Sequence, residues 1–140
     1  MKKPYLVFLF LFFFMLTGGC VKKDIDPNTL KSPDEKALYD LMVARCRALN
    51  ARDMNLFRQI YTENSPDLEW IENVGIPMWE SNGMNFNTPS LRKISIIDND
   101  AAASFVLTGN NSSGKSFVYS VEALYLKEGD KWKIESTGHR

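Results

Sequence analysis

One cation lies where a hydrophobic residue belongs. Leu38, Leu41, Met42, Cys46 and Leu49 recur at the spacing of one helical face. Counting about 100° per residue from Leu38, Leu41 falls at about 300°, Leu49 at about 20° and Arg45 at about 340°, inside the apolar stripe. A guanidinium turned toward a core must find a carboxylate or an anionic ligand, because burying it unpaired costs several kcal/mol. Glu122 is the matching oddity, sharing a strand face with Val118, Leu124 and Leu126. The expectation is that Arg45 and Glu122 meet in the interior, where they either bind a polar ligand group or hold each other. A purely structural ion pair, or an Arg45 that snorkels to a rim, is the competing reading. Tyr61, Trp70, Trp79, Phe105, Tyr119 and Trp132 could line a pocket for an apolar or ring-shaped ligand, or simply form the core.

Other chemistry has thin support. The single histidine, His139, stands beside the C-terminal Arg140 and is too near a fraying end to serve as the base for a serine nucleophile. Without a second histidine or a Cys–His cluster no metal site is expected. Neither a GxxxxGK[ST] loop nor a Gly-x-Gly-x-x-Gly turn is present, so no cofactor is implied. What remains is carboxylate acid–base work by Glu69 or Glu72, which flank Trp70 and Ile71; in an alternating strand both would face water. No residue is nominated as catalytic, and the balance leans against an enzyme. Charge closes another class: 17 Lys and Arg against 17 Asp and Glu leave no basic field for a nucleic acid.

These residues need elements to position them. Ser32-Pro33-Asp34-Glu35 is a capping box with proline at the first helical position, and it opens helix one. Asp53 opens a second amphipathic helix carrying Met54, Phe57, Ile60 and Tyr61, which stops before Ser65-Pro66. Asp67-Leu68-Glu69-Trp70-Ile71 alternates and reads as a strand, and residues 73–89 are irregular. Four strands follow, over residues 91–97, 101–108, 116–127 and 131–137, joined by turn-forming Asp, Asn and Gly. Sequential hairpins make this an antiparallel meander.

The third of these strands is apolar on both faces: Phe117, Tyr119, Val121, Ala123 and Tyr125 on one, Val118, Leu124 and Leu126 on the other. Two helices can cover only one side, so the outer face implies a homodimer, unless the stretch with Trp79 and Met84 folds across it. Cys46, on the helix-one stripe, is expected to be a small buried apolar residue.

The N-terminus has a different character. Lys2 and Lys3 precede eleven uncharged residues, Leu6 to Leu16, and the small residues Thr17, Gly18 and Gly19 precede Cys20. That is the anatomy of an export signal. Its apolar run spans only about 16 Å as a helix, about half a bilayer core. Leu16-Thr17-Gly18-Gly19-Cys20 resembles the bacterial lipobox, although Thr17 holds the place where a large aliphatic residue is commonest. The resemblance implies a signal peptide over 1–19, an acylated Cys20, a flexible tether over 20–31 and a domain over 32–140. Lipid anchorage places that domain in a bacterial cell envelope without spanning the membrane, on the periplasmic or surface side. Val21, which is not the aspartate that retains many lipoproteins in the inner membrane, favours the outer one.

The turn Ala51-Arg52-Asp53-Met54-Asn55-Leu56-Phe57, the helix end Ile60-Tyr61-Thr62-Glu63 and the closing Gly129-Asp130-Lys131-Trp132-Lys133-Ile134 hairpin, in that order, resemble the nuclear transport factor 2 superfamily, including its SnoaL-like domains. The resemblance implies an α+β cone fold: two N-terminal helices packed in a curved antiparallel sheet of four to six strands, with a pocket at the open end. Family isomerases place a tyrosine where this chain has Val43 and histidines in phase with the last-strand tryptophan, where this chain has Ile134, Ser136 and Gly138. The familiar catalytic set is not carried over. The pocket candidates are Arg45, Glu122, Tyr61, Trp70, Tyr119 and Trp132, binding an unidentified small molecule or peptide. The alternatives are a protein-interaction module, such as an assembly factor or periplasmic immunity protein, and an isomerase or hydro-lyase.

Overall fold

Ser32 starts the longest helix by the reciprocal bonding its sequence predicts. Its hydroxyl accepts the Glu35 N–H at 3.0 Å, and the Glu35 carboxylate accepts the Ser32 N–H at 3.3 Å. In the computed structural model, which describes residues 23–139, this helix (α1) runs Pro33–Ala51 and buries Leu38, Met42, Arg45, Cys46, Ala48 and Leu49. The expected signal segment and Cys20 lie outside the described residues. α1 ends where Arg52 takes a left-handed conformation with φ 53°, a strained turn for a residue with a Cβ. Its guanidinium donates to the carbonyls of Leu49, Trp79 (2.9 Å) and Met84 (2.6 Å), tying the helix end to the chain that later enters the sheet. Asp53 then caps α2, Met54–Ile60, by accepting the N–H groups of Asn55 and Leu56.

The next segment departs from expectation. Asp67–Ile71 is helical: Ser65 caps α3, Pro66–Trp70, with Pro66 at the first position, just as Ser32 and Pro33 open α1. A π-helical turn, Ile71–Gly75, carries the chain without a break into α4, Ile76–Ser81. Ile71, Gly75 and Trp79 are buried at every fourth residue, the mark of a helix packing one side.

Five antiparallel strands follow: β1 Asn85–Phe86, β2 Ser90–Ile97, β3 Asp100–Asn110, β4 Ser116–Glu128 and β5 Lys131–His139. β3 is paired on both edges, with β4 on one, and with β2 and then β1 sharing the other. β5 pairs with β4, and its outer edge is covered by the α2–α3 connection, where Thr62 N–H donates to Ile134 O at 2.8 Å and the Ser65 hydroxyl to Glu135 O at 2.7 Å. The inner face carries Ala101, Ala103, Phe105 and Leu107 from β3, Val121, Ala123 and Tyr125 from β4, and Trp132 and Ile134 from β5, all buried. Leu38, Met42 and Phe57 complete the core. The α+β cone architecture is as expected, with five strands and with α3 and α4 added to the two expected helices.

One further expectation and one alternative need correction. Residues 24–30 belong to the folded unit, not to a loose tether: Ile25 N–H donates to Leu91 O at 2.7 Å, Asp24 pairs with Arg92 at 2.6 Å, and Leu30 is buried. The stretch with Trp79 and Met84 packs on the inner side, against Phe57 and Phe86, and leaves Val118 on the outer face 68% exposed. Among the described residues no helix is long and apolar enough to cross a membrane.

Candidate functional site

Arg45 is 2% exposed, as its place in the stripe predicts, and each nitrogen has a different fate. Nε donates to the Tyr61 hydroxyl at 2.8 Å, and Nη2 lies 3.5 Å from Thr137 Oγ1. Nη1 is buried with no hydrogen-bond partner among the described residues, a condition that costs about 1–3 kcal/mol or more for a charged group. The counter-charge is Asp67, one bond removed: its Oδ2 accepts the Thr137 hydroxyl at 2.9 Å and the Thr137 N–H at 2.7 Å, so Thr137 offers Arg45 a lone pair. Burial alone would lower the guanidinium pKa, but Tyr61, Cys46 and Asp67 together outweigh it and hold the pKa above its ordinary value. Cys46, buried beside Arg45, has its thiol pushed up to about 11, chiefly by burial, so it stays protonated and inert at neutral pH.

The expected Arg45–Glu122 meeting does not occur. Val121, Ala123 and Tyr125 point inward, so Glu122 between them lies on the outer face, where the ladder sets it opposite Ser104, itself opposite Lys93. Asp67 takes the role instead, supplied by the helix that sequence reading made a strand. Thr137 reaches the site because β5 holds an extra residue, Glu135, between the pairs Leu124–Ser136 and Tyr125–Ile134, which turns Thr137 inward in place of Ser136.

Beside Arg45 is a cavity of about 250 Å³, just under the ~300 Å³ at which clefts for drug-sized ligands begin. Among the described residues Arg45 is its one charged lining residue; Leu49, Trp79, Met84, Phe86 and Leu107 make the walls, and Trp70, Met78 and Tyr119 the mouth. These last three are 43%, 41% and 39% exposed, large apolar side chains left facing water at one opening. Rings continue around it in edge or tilted contact, from Trp70 to Trp79 (5.8 Å), Phe86 (6.2 Å), Phe117 (5.2 Å) and Tyr119 (5.1 Å). Gly75 seats both indoles: a Cβ there would lie 2.7 Å from Trp79 and 3.0 Å from Trp70.

Of the pocket candidates, Arg45, Trp70 and Tyr119 therefore line the cavity, and Tyr61 holds Arg45 from behind. Trp132 lies elsewhere, in an open groove with Pro33, Asp40 and Gln59, where its indole N–H donates to Asp34 at 2.8 Å. Glu69 is exposed and Glu72 pairs with Arg58 at 2.8 Å, half in water, so neither is placed as a buried base. Among the described residues no cluster could hold a metal ion. Sequence reasoning missed Asp67, Thr137 and the aliphatic walls; the repeat Ile71, Gly75, Trp79 was the available sign of α4.

The Trp132 contact makes a pH prediction. The indole hydrogen bond first, then Lys127 at 3.1 Å, hold the Asp34 carboxyl below the ordinary 3.8. A depressed folded pKa adds stability that is complete above the ordinary value and is lost as pH falls through the depressed one. The Trp132 indole proton resonance is expected to titrate with a midpoint below 3.8; a midpoint at or above it would remove Asp34 as the partner.

A curled antiparallel sheet filled by N-terminal helices, with an apolar chamber at one end, defines the nuclear transport factor 2-like cone fold. Solved structures agree. A protein of unknown function from Shewanella oneidensis, described as nuclear transport factor 2-like, superposes with TM-score 0.58 at 16% identity, covering 76% of this chain and 98% of that one. A putative calcium/calmodulin-dependent protein kinase II association domain from Xanthomonas campestris gives 0.57 at 17% identity, over 85% and 93%. A like-folded protein involved in plasmid conjugation gives 0.58 at 15% identity, over 89% of this chain and 46% of that one. Identities this low speak for the fold alone. No protein-family model and no curated protein matches the chain.

Proposed function

We propose that this protein is a cell-envelope lipoprotein, moored through acylated Cys20, whose cone binds a small molecule without transforming it. The observation that carries the binding role is the chamber itself: apolar walls, a ring of aromatic side chains and one buried guanidinium with an unused donor. A non-catalytic role is supported by what adjoins that guanidinium, a phenol and a hydroxyl bonded to a carboxylate already occupied by Thr137, with no acid–base pair set against the cavity among the described residues. The anchor rests on the lipobox-like Leu16 to Cys20 run.

Expression of the full chain in a bacterium fed labelled palmitate tests the mooring. The wild type is expected to incorporate label and sediment with membranes, and Cys20→Ser to do neither; label retained by Cys20→Ser would refute acylation at that residue. Native mass spectrometry of the detergent-extracted protein should show a bound small molecule. A second reading, a protein-interaction module, draws on the exposed Trp70, Met78 and Tyr119 at the mouth, and a homodimer would use Val118. Two chains per particle, or one protein partner lost with Val118→Asp, would favour it.

A further inference from the structure

We infer that the chamber takes an amphipathic monocarboxylate, its carboxylate turned to the Arg45 guanidinium in the wall and its hydrocarbon or aryl body among the rim aromatics. The inference deepens the proposed binding role and rests on it. Three observations fix the ligand's chemistry.

The first is charge. Arg45 carries a full positive charge and among the described residues is bonded by neutral oxygens, from Tyr61 and Thr137, while Asp67 Oδ2 is already engaged by both Thr137 donors. Nη1 is buried and unpartnered among the described residues, so Arg45 is a cation in an otherwise apolar wall, and an ionised ligand group supplies the opposite charge that Tyr61 and Thr137 lack. The second is the number of donors. Among the described residues no other cationic side chain lines the cavity, so a phosphate or sulfate would leave oxygens facing Leu49, Phe86 and Leu107, whereas a carboxylate has two oxygens to satisfy. The third is size. About 250 Å³ holds roughly eight water-sized groups at ~30 Å³ each, which suits a phenylacetate or a medium-chain acid and is too small to enclose a full acyl lipid.

Phenylacetate, its neutral analogue phenylacetamide and phenyl phosphate are the probes. Each is titrated into the full-length protein in detergent, with tryptophan fluorescence reporting on Trp70 and Trp79. Phenylacetate is expected to bind saturably, and phenylacetamide and phenyl phosphate at least tenfold more weakly. Arg45→Met should weaken phenylacetate at least tenfold and abolish the preference over the amide. Tyr119→Ala, at an exposed rim position, should weaken acid and amide alike by a few-fold and so reports even where Arg45→Met folds poorly. Equal affinity for acid and amide in the wild type would overturn the carboxylate assignment while leaving a binding chamber. Preference for phenyl phosphate would overturn it in favour of a phosphoryl ligand. Saturable binding of none of the three would overturn the assignment and, if native mass spectrometry also finds no small molecule, the binding role with it.

Discussion

Gly109→Ala is expected to destabilise the protein by about 3 kcal/mol, the upper range for overpacking a rigid site. Gly109 sits in β3 opposite Phe86 on one side and Phe117 on the other. A Cβ there would lie 1.9 Å from the Asn85 carbonyl oxygen and 2.5 Å from the Phe117 ring. The ring can tilt, but Asn85 is backbone. β1 cannot retreat, because the Asn50 side chain grips Phe86 by both main-chain groups, accepting its N–H at 2.8 Å and donating to its carbonyl at 2.9 Å. The variant must detach β1 or bend β3, and either unseats Phe86 from the cavity wall. Urea unfolding should show a lower midpoint at unchanged slope; a loss under about 1 kcal/mol would mean that β1 is not held where described.

The second large effect is expected from Tyr61→Phe, also about 3 kcal/mol, the upper range for a hydrogen bond to a buried charged group. Only an oxygen is deleted and the ring still fills its space, so packing changes little. Arg45 then has a single weak bond, to Thr137, for its three nitrogens. The discriminating measurement is the cycle with Arg45→Met, an apolar chain of comparable length. In the Arg45→Met background, Tyr61→Phe should cost under about 1 kcal/mol, giving a coupling of about 2 kcal/mol. Additive losses would show that the phenol stabilises the core on its own account.

How much of this was legible depends on how local each cause is. The Ser32 box, the Asp53 cap and the turns between β2, β3, β4 and β5 are written in residues a few positions apart, and all appear where expected. Arg45 was legible for the same reason, since a helical stripe is set by neighbours. Asp67–Ile71 was not: five residues that alternate fit a strand and a helical turn almost equally well, and Ser65-Pro66 was read as the end of α2 when it is also the start of α3. Glu122 failed for a two-sided reason. β4 has apolar residues on both faces, and only the tertiary fold decides that the one with Val121 and Tyr125 is inside. Thr137 could not have been found, because the extra residue at Glu135 that reverses the side-chain phase leaves no local mark.

The ion pair between Asp24 and Arg92 sets how far this domain can stray. Four residue steps separate Asp24 from Cys20, and fully stretched they reach no more than about 14 Å. With the proposed acyl mooring, the protein grazes the lipid headgroups on a short leash and cannot patrol the space beyond. Whatever it meets must come to that thin layer, and a partner fastened in the same leaflet would meet it by lateral diffusion, at an effective concentration that free solution would not provide.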